Sequence, residues 1–336
     1  MLNMAENKLD VKNMKILAEL DENARQSNSQ IGKKVGLSKE VVKYRIDKMI
    51  EQGVIIRFHT VINYFKLGIM KFKLYLRLTN VSKEKIEEIA KYFCKHKKTE
   101  WVVITTGKWD IIAGFLVPNV NEFDDEVQTV LNKYSSYIQE KAVTTTLYLV
   151  HHERGFLRKS NFSSVVYHTT KDRQEKIDVV DKEIIKILAN NARMPITEIA
   201  NKLKTTPRTI QYRIKQLEKK NIFLAYKVHL DPRAMSRIFC KAIIYMANVT
   251  QEKLKRFIDS VSAIPEAVWP QKVMGTWDFE IDCEVEDYDK FQNIILSLKE
   301  KFPNIIKNHE FCIVSKEFKL DLYPGAYPVI KGKMKV

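Results

Sequence analysis

Two sets of side chains in this 336-residue chain have the types and spacing to do chemistry. The first comprises Ser38, Lys39, Lys43, Tyr44 and Arg45, and, later in the chain, Thr206, Arg208, Thr209, Gln211, Tyr212 and Arg213. Ser38 and Thr206 are suited to cap a helix N-terminus, because a hydroxyl there accepts an orphan backbone N–H. The residues after each cap then fall on an outward helical face. Arginine and glutamine make bidentate contacts to guanine and adenine edges, and lysine suits phosphate. That chemistry is hydrogen bonding to nucleic acid; the alternative is a merely solvated charged face. Arg45 and Arg213 each precede an inward isoleucine, so they are equally placed to brace the helix through a carboxylate such as Glu51 or Glu218. The second set is Gly107-Lys108-Trp109-Asp110 and Gly275-Thr276-Trp277-Asp278. Glycine and aspartate around two residues are ordinary turn chemistry, and an aspartate there is also suited to the amino group of a small ligand.

These sets recur at an offset of 168 residues, half the chain. Trp101 and Trp269, Tyr44-Arg45-Ile46 and Tyr212-Arg213-Ile214, and Asn23-Ala24-Arg25 and Asn191-Ala192-Arg193 obey the same offset. A period this long implies two copies of a whole module, not the short repeats of a solenoid.

The elements that must position these residues follow from periodicity. Leu9, Ile16, Leu17 and Leu20 form one helical stripe, as do Val180, Ile184, Ile187 and Leu188. A short helix carrying Ile31 and Val35 (Ile199 and Leu203 in the second half) precedes a tight turn. A third helix buries Val42, Ile46 and Met49, or Ile210, Ile214 and Leu217, with Pro207 at its first position. Gly53 and Asn221 end these helices, both tolerant of the left-handed conformation a helix C-terminus takes. Three helices with a tight turn before the third form a helix-turn-helix, whose third helix enters the major groove.

After each trihelical unit the period changes to two. Strands over 71–79, 99–106, 111–117 and 138–149 interleave with helices over 82–94 and 121–131, the order βαββαβ. The second half repeats it with strands over 239–247, 267–275, 278–285 and 305–314 and helices over 251–261 and 287–301. Such a sheet carries helices on one face, and the sister sheet is the expected cover for the other.

The formal charge of +16 suits a polyanion, although lysine-rich composition alone gives the same balance. Cys94, Cys240, Cys283 and Cys312 form no C-x-x-C pair, which argues against a zinc site or disulfide framework and fits a reducing cytoplasm. The start of the chain has no apolar signal core, and no apolar run approaches the roughly 18 residues needed to span a bilayer. His151-His152 is a weak metal signal without a third ligand at fixed spacing. No metal or cofactor is expected.

Together these features resemble the Lrp/AsnC, or feast/famine, family of transcription regulators. The family's R-I-x-x-L-x-x-x-G-V-I segment appears as Arg45-Ile46-Asp47-Lys48-Met49-Ile50-Glu51-Gln52-Gly53-Val54-Ile55, and less closely over 213–223. Its G-x-x-D turn appears as Gly107 to Asp110 and Gly275 to Asp278. The resemblance implies an α+β fold: a tandem duplication of a winged-type helix-turn-helix and a ferredoxin-like βαββαβ sensing module. The expected domains are 1–62 and 178–232 (helix-turn-helix), 63–150 and 233–322 (sensing and assembly), a basic linker 151–177 with solvated side chains, and a C-terminal tail 323–336. It further implies double-stranded DNA as partner, pairing through the sheets as an intramolecular pseudo-dimer or homo-oligomer, and an amino-acid effector near Gly107, Asp110, Gly275 and Asp278. Arg208-Thr209-Ile210-Gln211 differs from Lys39-Glu40-Val41-Val42-Lys43, so the two halves are expected to read different half-sites.

The expected function is a sequence-specific DNA-binding transcription regulator without enzymatic activity. Two alternatives stand beside it. One is an architectural DNA-coating protein. The other is a tetrapyrrole decarboxylase of the siroheme type, since some such enzymes resemble this two-part fold. Their site needs cationic and histidine side chains around a pocket, whereas the histidines here do not repeat between halves and fall mostly at predicted element ends.

Overall fold

The computed structural model describes residues 9–158 and 165–324. The first half runs α1 (Val11–Glu22), α2 (Asn28–Val35), α3 (Lys39–Glu51), β1 (Ile55–Ile62), β2 (Met70–Leu78), α4 (Lys83–Lys95), β3 (Thr99–Gly107), β4 (Ile111–Val117), α5 (Val120–Tyr134), β5 (Ile138–His152) and β6 (Val165–Thr169). The second continues with α6 (Val179–Asn190), α7 (Ile196–Lys202), α8 (Pro207–Lys219), β7 (Phe223–Leu230), β8 (Ile238–Met246), α9 (Gln251–Ser262), β9 (Ala267–Gly275), β10 (Phe279–Val285), α10 (Tyr288–Lys301) and β11 (Ile306–Leu320). Apart from β6, the second half repeats the element order of the first.

Each trihelical head forms where the periodicity places it. In α3, Ser38 Oγ accepts from the N–H of Val41, and Val42, Ile46 and Met49 are buried. In α8, Thr206 Oγ1 accepts from Thr209, Pro207 opens the helix, and Ile210, Ile214 and Leu217 are buried. Gly53 and Asn221, just past these helices, take φ of +72° and +53°.

β1 and β7 were not separate expectations. They pair antiparallel as a two-stranded ribbon joining the two heads. The remaining strands build one large sheet. Within each half the order is that of a ferredoxin-like sheet, β5-β2-β4-β3 and β11-β8-β10-β9. The expected cover by a sister sheet takes a stronger form, because the edges pair as well. β3 bonds to β11 and β5 bonds to β9, so eight strands close on themselves and no ferredoxin-type edge is left open. The strands that make these seams, β5 and β11, are each 15 residues long and extend past the expected ends at 149 and 314.

Helices α4, α5, α9 and α10 cover the outside through one apolar cluster per half. The interior of the closed sheet holds Tyr75, Trp101, Trp109, Ile112, Ile243, Val273 and Trp277. It is not symmetric. β10 presents Glu280, Asp282 and Glu284, all buried, where β4 presents Ile112, Gly114 and Leu116. Glu280 is bound by Lys73 (2.5 Å) and Lys241 (3.0 Å), and it accepts from Tyr75 Oη and Trp277 Nε1. Burial pushes its carboxyl up, but the two ammonium groups outweigh burial and hold it well below the usual carboxylate range.

The linker expectation needs correction. Arg154 is not a solvated basic residue: its side chain is buried, with Nη1 2.6 Å from Asp21 and Nε 2.8 Å from Glu284. Two carboxylates from separate elements enclose it, one on α1 and one on β10, and this tie draws the linker inward. Arg158 likewise pairs with Glu22. Of the C-terminal tail, Tyr323 packs into the second head's core. Residues 1–8, 159–164 and 325–336 lie outside the described residues.

Candidate functional site

On the first head, Lys39, Lys43 and Tyr44 are exposed along α3, with Tyr44 at 65%. Lys43 reaches Asp47 at 2.6 Å and Lys39 lies 3.6 Å from Glu40, both surface pairs of little energetic weight. On the second head, Arg208, Gln211 and Tyr212 are exposed along α8, and Thr209 Oγ1 contacts Thr206 Oγ1 at 2.9 Å. Each head thus presents an outward row of donors from a capped helix.

Arg45 and Arg213 stand beneath these rows. Arg45 Nη1 donates to Asp10 (2.6 Å) and Asn13 (2.8 Å); Arg213 Nη1 donates to Asp178 (2.7 Å) and Asp181 (2.8 Å). The carboxylate partners are therefore not Glu51 or Glu218, which lie farther along the same helices. They are the N-cap aspartates of α1 and α6, joined by Asp181 in the first turn of α6, and the bridge clamps the first helix of each head to the third. Glu218 instead accepts from Tyr226.

The repeated Asn-Ala-Arg step has a role that periodicity did not disclose. Arg25 Nη1 donates to the carbonyl of Ala192 (2.6 Å). Arg193 Nη1 donates to the carbonyls of Ala24 (2.7 Å) and Gln26 (3.0 Å), and its Nη2 to Asn28 (2.7 Å). The backbone does the same reciprocally, Ala24 N–H to Tyr226 and Ala192 N–H to Phe58. Each guanidinium also lies over an aromatic ring of the ribbon, Arg25 over Tyr226 and Arg193 over Phe58. The heads are clasped together through their α1–α2 and α6–α7 corners, which fixes the relation of α3 to α8.

The Gly-x-Trp-Asp turns sit at the seams of the closed sheet. A Cβ at Gly107 would lie 2.5 Å from the carbonyl oxygen of Phe311 on β11, and one at Gly275 would lie 2.2 Å from that of Val143 on β5. With φ of +115° and +148° as well, both positions require glycine. Asp110 accepts from the N–H of Leu78 and Asp278 from that of Met246, each at 2.7 Å. Trp109 and Trp277 are buried in the common interior, ring centroids 6.0 Å apart.

A cavity of about 280 Å³ lies between the β1–β7 ribbon and the closed sheet. Trp101, Trp269 and Phe239 form much of its apolar wall, with Leu149, Leu230 and Val314. His59, His151 and His229 all line it, together with Lys71 and Lys73. His151 and His229 do stand next to the ends of β5 and β7, but His59 lies inside β1, and the ribbon and β5 bring all three to one cavity, which the spacing did not foretell. The missed signals were the period-two acidic row on β10 and the polar residues in β1 and β7. The wall charges are paired within the protein: Lys71 with Glu100 (2.9 Å), Asp282 with Lys241 (2.5 Å), Glu284 with Arg154, and Arg233 with Asp231 (2.9 Å). His229 meets Glu317 at 3.2 Å and lies edge-on to His59, ring centroids 6.3 Å apart. Burial above all, then the neighbouring His229 and cationic groups, press the His59 pKa well down, so its ring is neutral.

Comparison with known proteins places this geometry. Residues 9–56 match the winged helix-turn-helix DNA-binding family and residues 177–218 the AsnC-type helix-turn-helix domain. A helix-turn-helix-type transcriptional regulator of Pyrococcus furiosus is 34% identical over 116 residues, 34% of this chain and 77% of the relative. The proline dehydrogenase transcriptional activator of Rhodobacter capsulatus is 26% identical over 130 residues, 38% of this chain and 84% of the relative. Among solved structures, the siroheme decarboxylase NirDL superposes with a TM-score of 0.61 at 12% identity, over 93% of this chain and 94% of its own. It has also been solved with an iron-uroporphyrin III analogue. The expectation of a non-enzyme is corrected by this finding: the whole two-part architecture is one that an enzyme also uses. Among the described residues, no helix is long and apolar enough to cross a membrane.

Proposed function

Because the chain belongs to the AsnC/Lrp family of helix-turn-helix transcription regulators, we propose that it is a tandem fusion of two family copies. On this reading it is a sequence-specific regulator acting as an intramolecular pseudo-dimer in the cytoplasm. The clasp between Arg25, Arg193 and the facing head is the observation that carries this reading, since it holds two different reading helices in one fixed relation. The domains are 1–62, 63–150, 178–232 and 233–322, joined by the linker 151–177, with the tail at 323–336. Lys39 and Lys43 supply phosphate contacts and Arg208 and Gln211 base contacts, with Ser38, Tyr44, Arg45, Thr206, Thr209, Tyr212 and Arg213 flanking them. Half-sites read from one DNA face then lie about 34–36 Å apart or at multiples of that spacing. An amino-acid effector at Gly107, Asp110, Gly275 and Asp278 is the family-based reading of the turns; their position at the seams supports it.

The test is DNA affinity against salt for wild type, Lys39→Ala/Lys43→Ala and Arg208→Ala/Gln211→Ala, on sites recovered by genome-wide mapping of bound DNA. Loss of phosphate contacts lowers the slope of log affinity against log salt by about 0.9 for each contact. Loss of base contacts costs about 1–3 kcal/mol each and relaxes sequence preference. A flat salt profile for the wild type overturns the reading.

A second reading, a tetrapyrrole decarboxylase, is favoured by the fold match over 93% of the chain. A spectral shift on mixing with an iron tetrapyrrole supports it. An unchanged spectrum removes it.

A further inference from the structure

Most of the polar side chains that line the cavity are engaged with one another, but His59 is not. It lies on β1 at the roof of the cavity, 6% exposed, and its buried Nδ1 has no hydrogen-bond partner. A buried polar atom without a partner costs free energy unless something satisfies it. Around it the cavity is apolar and aromatic, with Trp101 and Trp269 on its walls in equivalent positions of the two halves.

The size sets one limit on an occupant. A dry apolar cavity of about 150 Å³ accommodates benzene, and about 280 Å³ leaves room for a fused bicyclic ring. Larger ligand pockets of about 300–1,000 Å³ hold drug-sized molecules, and a macrocycle would need the ribbon to lift away. The charge pattern sets the other limit. Each lysine, arginine, aspartate and glutamate on the wall is already engaged inside the protein: Lys71 with Glu100, Lys73 with Glu280, Asp282 with Lys241, Glu284 with Arg154, Arg233 with Asp231, and Lys316 with Glu87. Glu317 accepts from Trp101 Nε1 (2.9 Å) and meets His229. A carboxylate or ammonium brought in by a ligand would have to break one of these pairs or stay uncompensated, and a buried unpaired charge is costly.

We propose that the cavity between the β1–β7 ribbon and the closed sheet is a binding site for a small uncharged aromatic molecule with one hydrogen-bonding group, held between Trp101, Trp269 and Phe239 and bonded to His59. The site is separate from the seam turns at Gly107–Asp110 and Gly275–Asp278, and its occupant class is not the zwitterionic amino acid expected there. The proposal does not rest on DNA binding.

Indole is a suitable probe, being bicyclic, uncharged and a single N–H donor; L-tryptophan carries the same ring with two charges. Isothermal titration of the full chain is expected to show one indole per chain, with L-tryptophan bound at least tenfold more weakly. His59→Phe keeps the ring volume and removes the polar atom, and is expected to weaken indole about tenfold. Leu149→Trp fills the cavity and is expected to abolish binding; Val314→Phe serves the same purpose if Leu149→Trp does not fold, as judged by circular dichroism. The proposal is overturned by the absence of indole binding to wild type at millimolar concentration. It is also overturned if L-tryptophan binds as well as indole, or if indole binds equally to the folded cavity-filled variant.

Discussion

Replacing Arg193 with alanine separates the two functions a basic residue near DNA can have. The side chain makes three hydrogen bonds to the other head, to Ala24, Gln26 and Asn28, and lies over Phe58. Burial, and then the like charge of Arg25, lowers its pKa, so it is held in place against an electrostatic cost. A hydrogen bond from a charged donor is worth about 1.5–3 kcal/mol net, and a cation–π contact about 0.5–1 kcal/mol at a site open to solvent. Because Arg193 is half-buried and water replaces part of what is lost, we expect about 2 kcal/mol for the whole clasp contact. The ribbon keeps the heads joined, so the fold persists and the loss falls on the fixed relation of α3 to α8. Binding to a duplex carrying both half-sites should weaken by roughly 30-fold, since 1.4 kcal/mol is tenfold. Binding to one isolated half-site should hardly change, and the salt slope should stay the same. The assay is fluorescence anisotropy on the two duplexes over a salt series. A slope lowered by about 0.9 would mean that Arg193 touches a phosphate instead. Equal affinity for the two-site duplex would mean that the clasp does not orient the heads. Either result refutes the reasoning.

Other perturbations follow from the same structure. Gly275→Ala drives a Cβ against the carbonyl of Val143 and should cost several kcal/mol, about 1–3 from strain plus about 1–3 from overpacking. Gly53→Ala, also at positive φ but with nothing within 4 Å, should cost only about 1 kcal/mol; urea denaturation compares the two. Arg154→Met strands the buried carboxylates of Asp21 and Glu284 and should destabilise by about 3–5 kcal/mol; a loss below 1 kcal/mol in the same assay would show that water reaches them. The Glu280 carboxyl is depressed in the folded state, so its stabilisation is complete above the ordinary carboxylate pKa and is lost as pH falls towards the folded value. The urea midpoint should therefore fall on acidification below about pH 4, and Glu280→Gln, though less stable at neutral pH, should fall less steeply.

Much of the scaffold was legible in the sequence because it rests on local signals. The buried stripes of α3 and α8, the capping Ser38 and Thr206, and the period-two strands of both sheets all follow from spacing within a dozen residues. What could not be read depends on partners far along the chain. The clasp joins residues 165 to 169 positions apart, so Arg25 and Arg193 showed only as repeated letters in a polar break. The ribbon needs β1 to meet β7, and neither strand alternates cleanly because head and cavity bury both of its faces. Arg154 read as linker because nothing near it in sequence announces the carboxylates of Asp21 and Glu284. The cavity was hidden for the same reason, and because its histidines occupy positions that are not equivalent in the two halves.

The asymmetric interior has a consequence for how such a molecule can change over time. A two-fold dimer of identical chains presents every interface residue twice, so each must be compatible with its own image. Glu280 escapes that condition. It is a single glutamate shared by Lys73 and Lys241, which occupy equivalent positions in the two halves, while its own equivalent is Ile112. A symmetric pair of chains would contain either two such glutamates or none, and a cluster that draws both its acids, Glu280 and Asp282, from one half and one lysine from each is closed to a dimer of identical chains. Covalent linkage therefore does more than keep the halves together: it releases each from self-complementarity, so that a core, like a pair of reading helices, can diverge on one side alone.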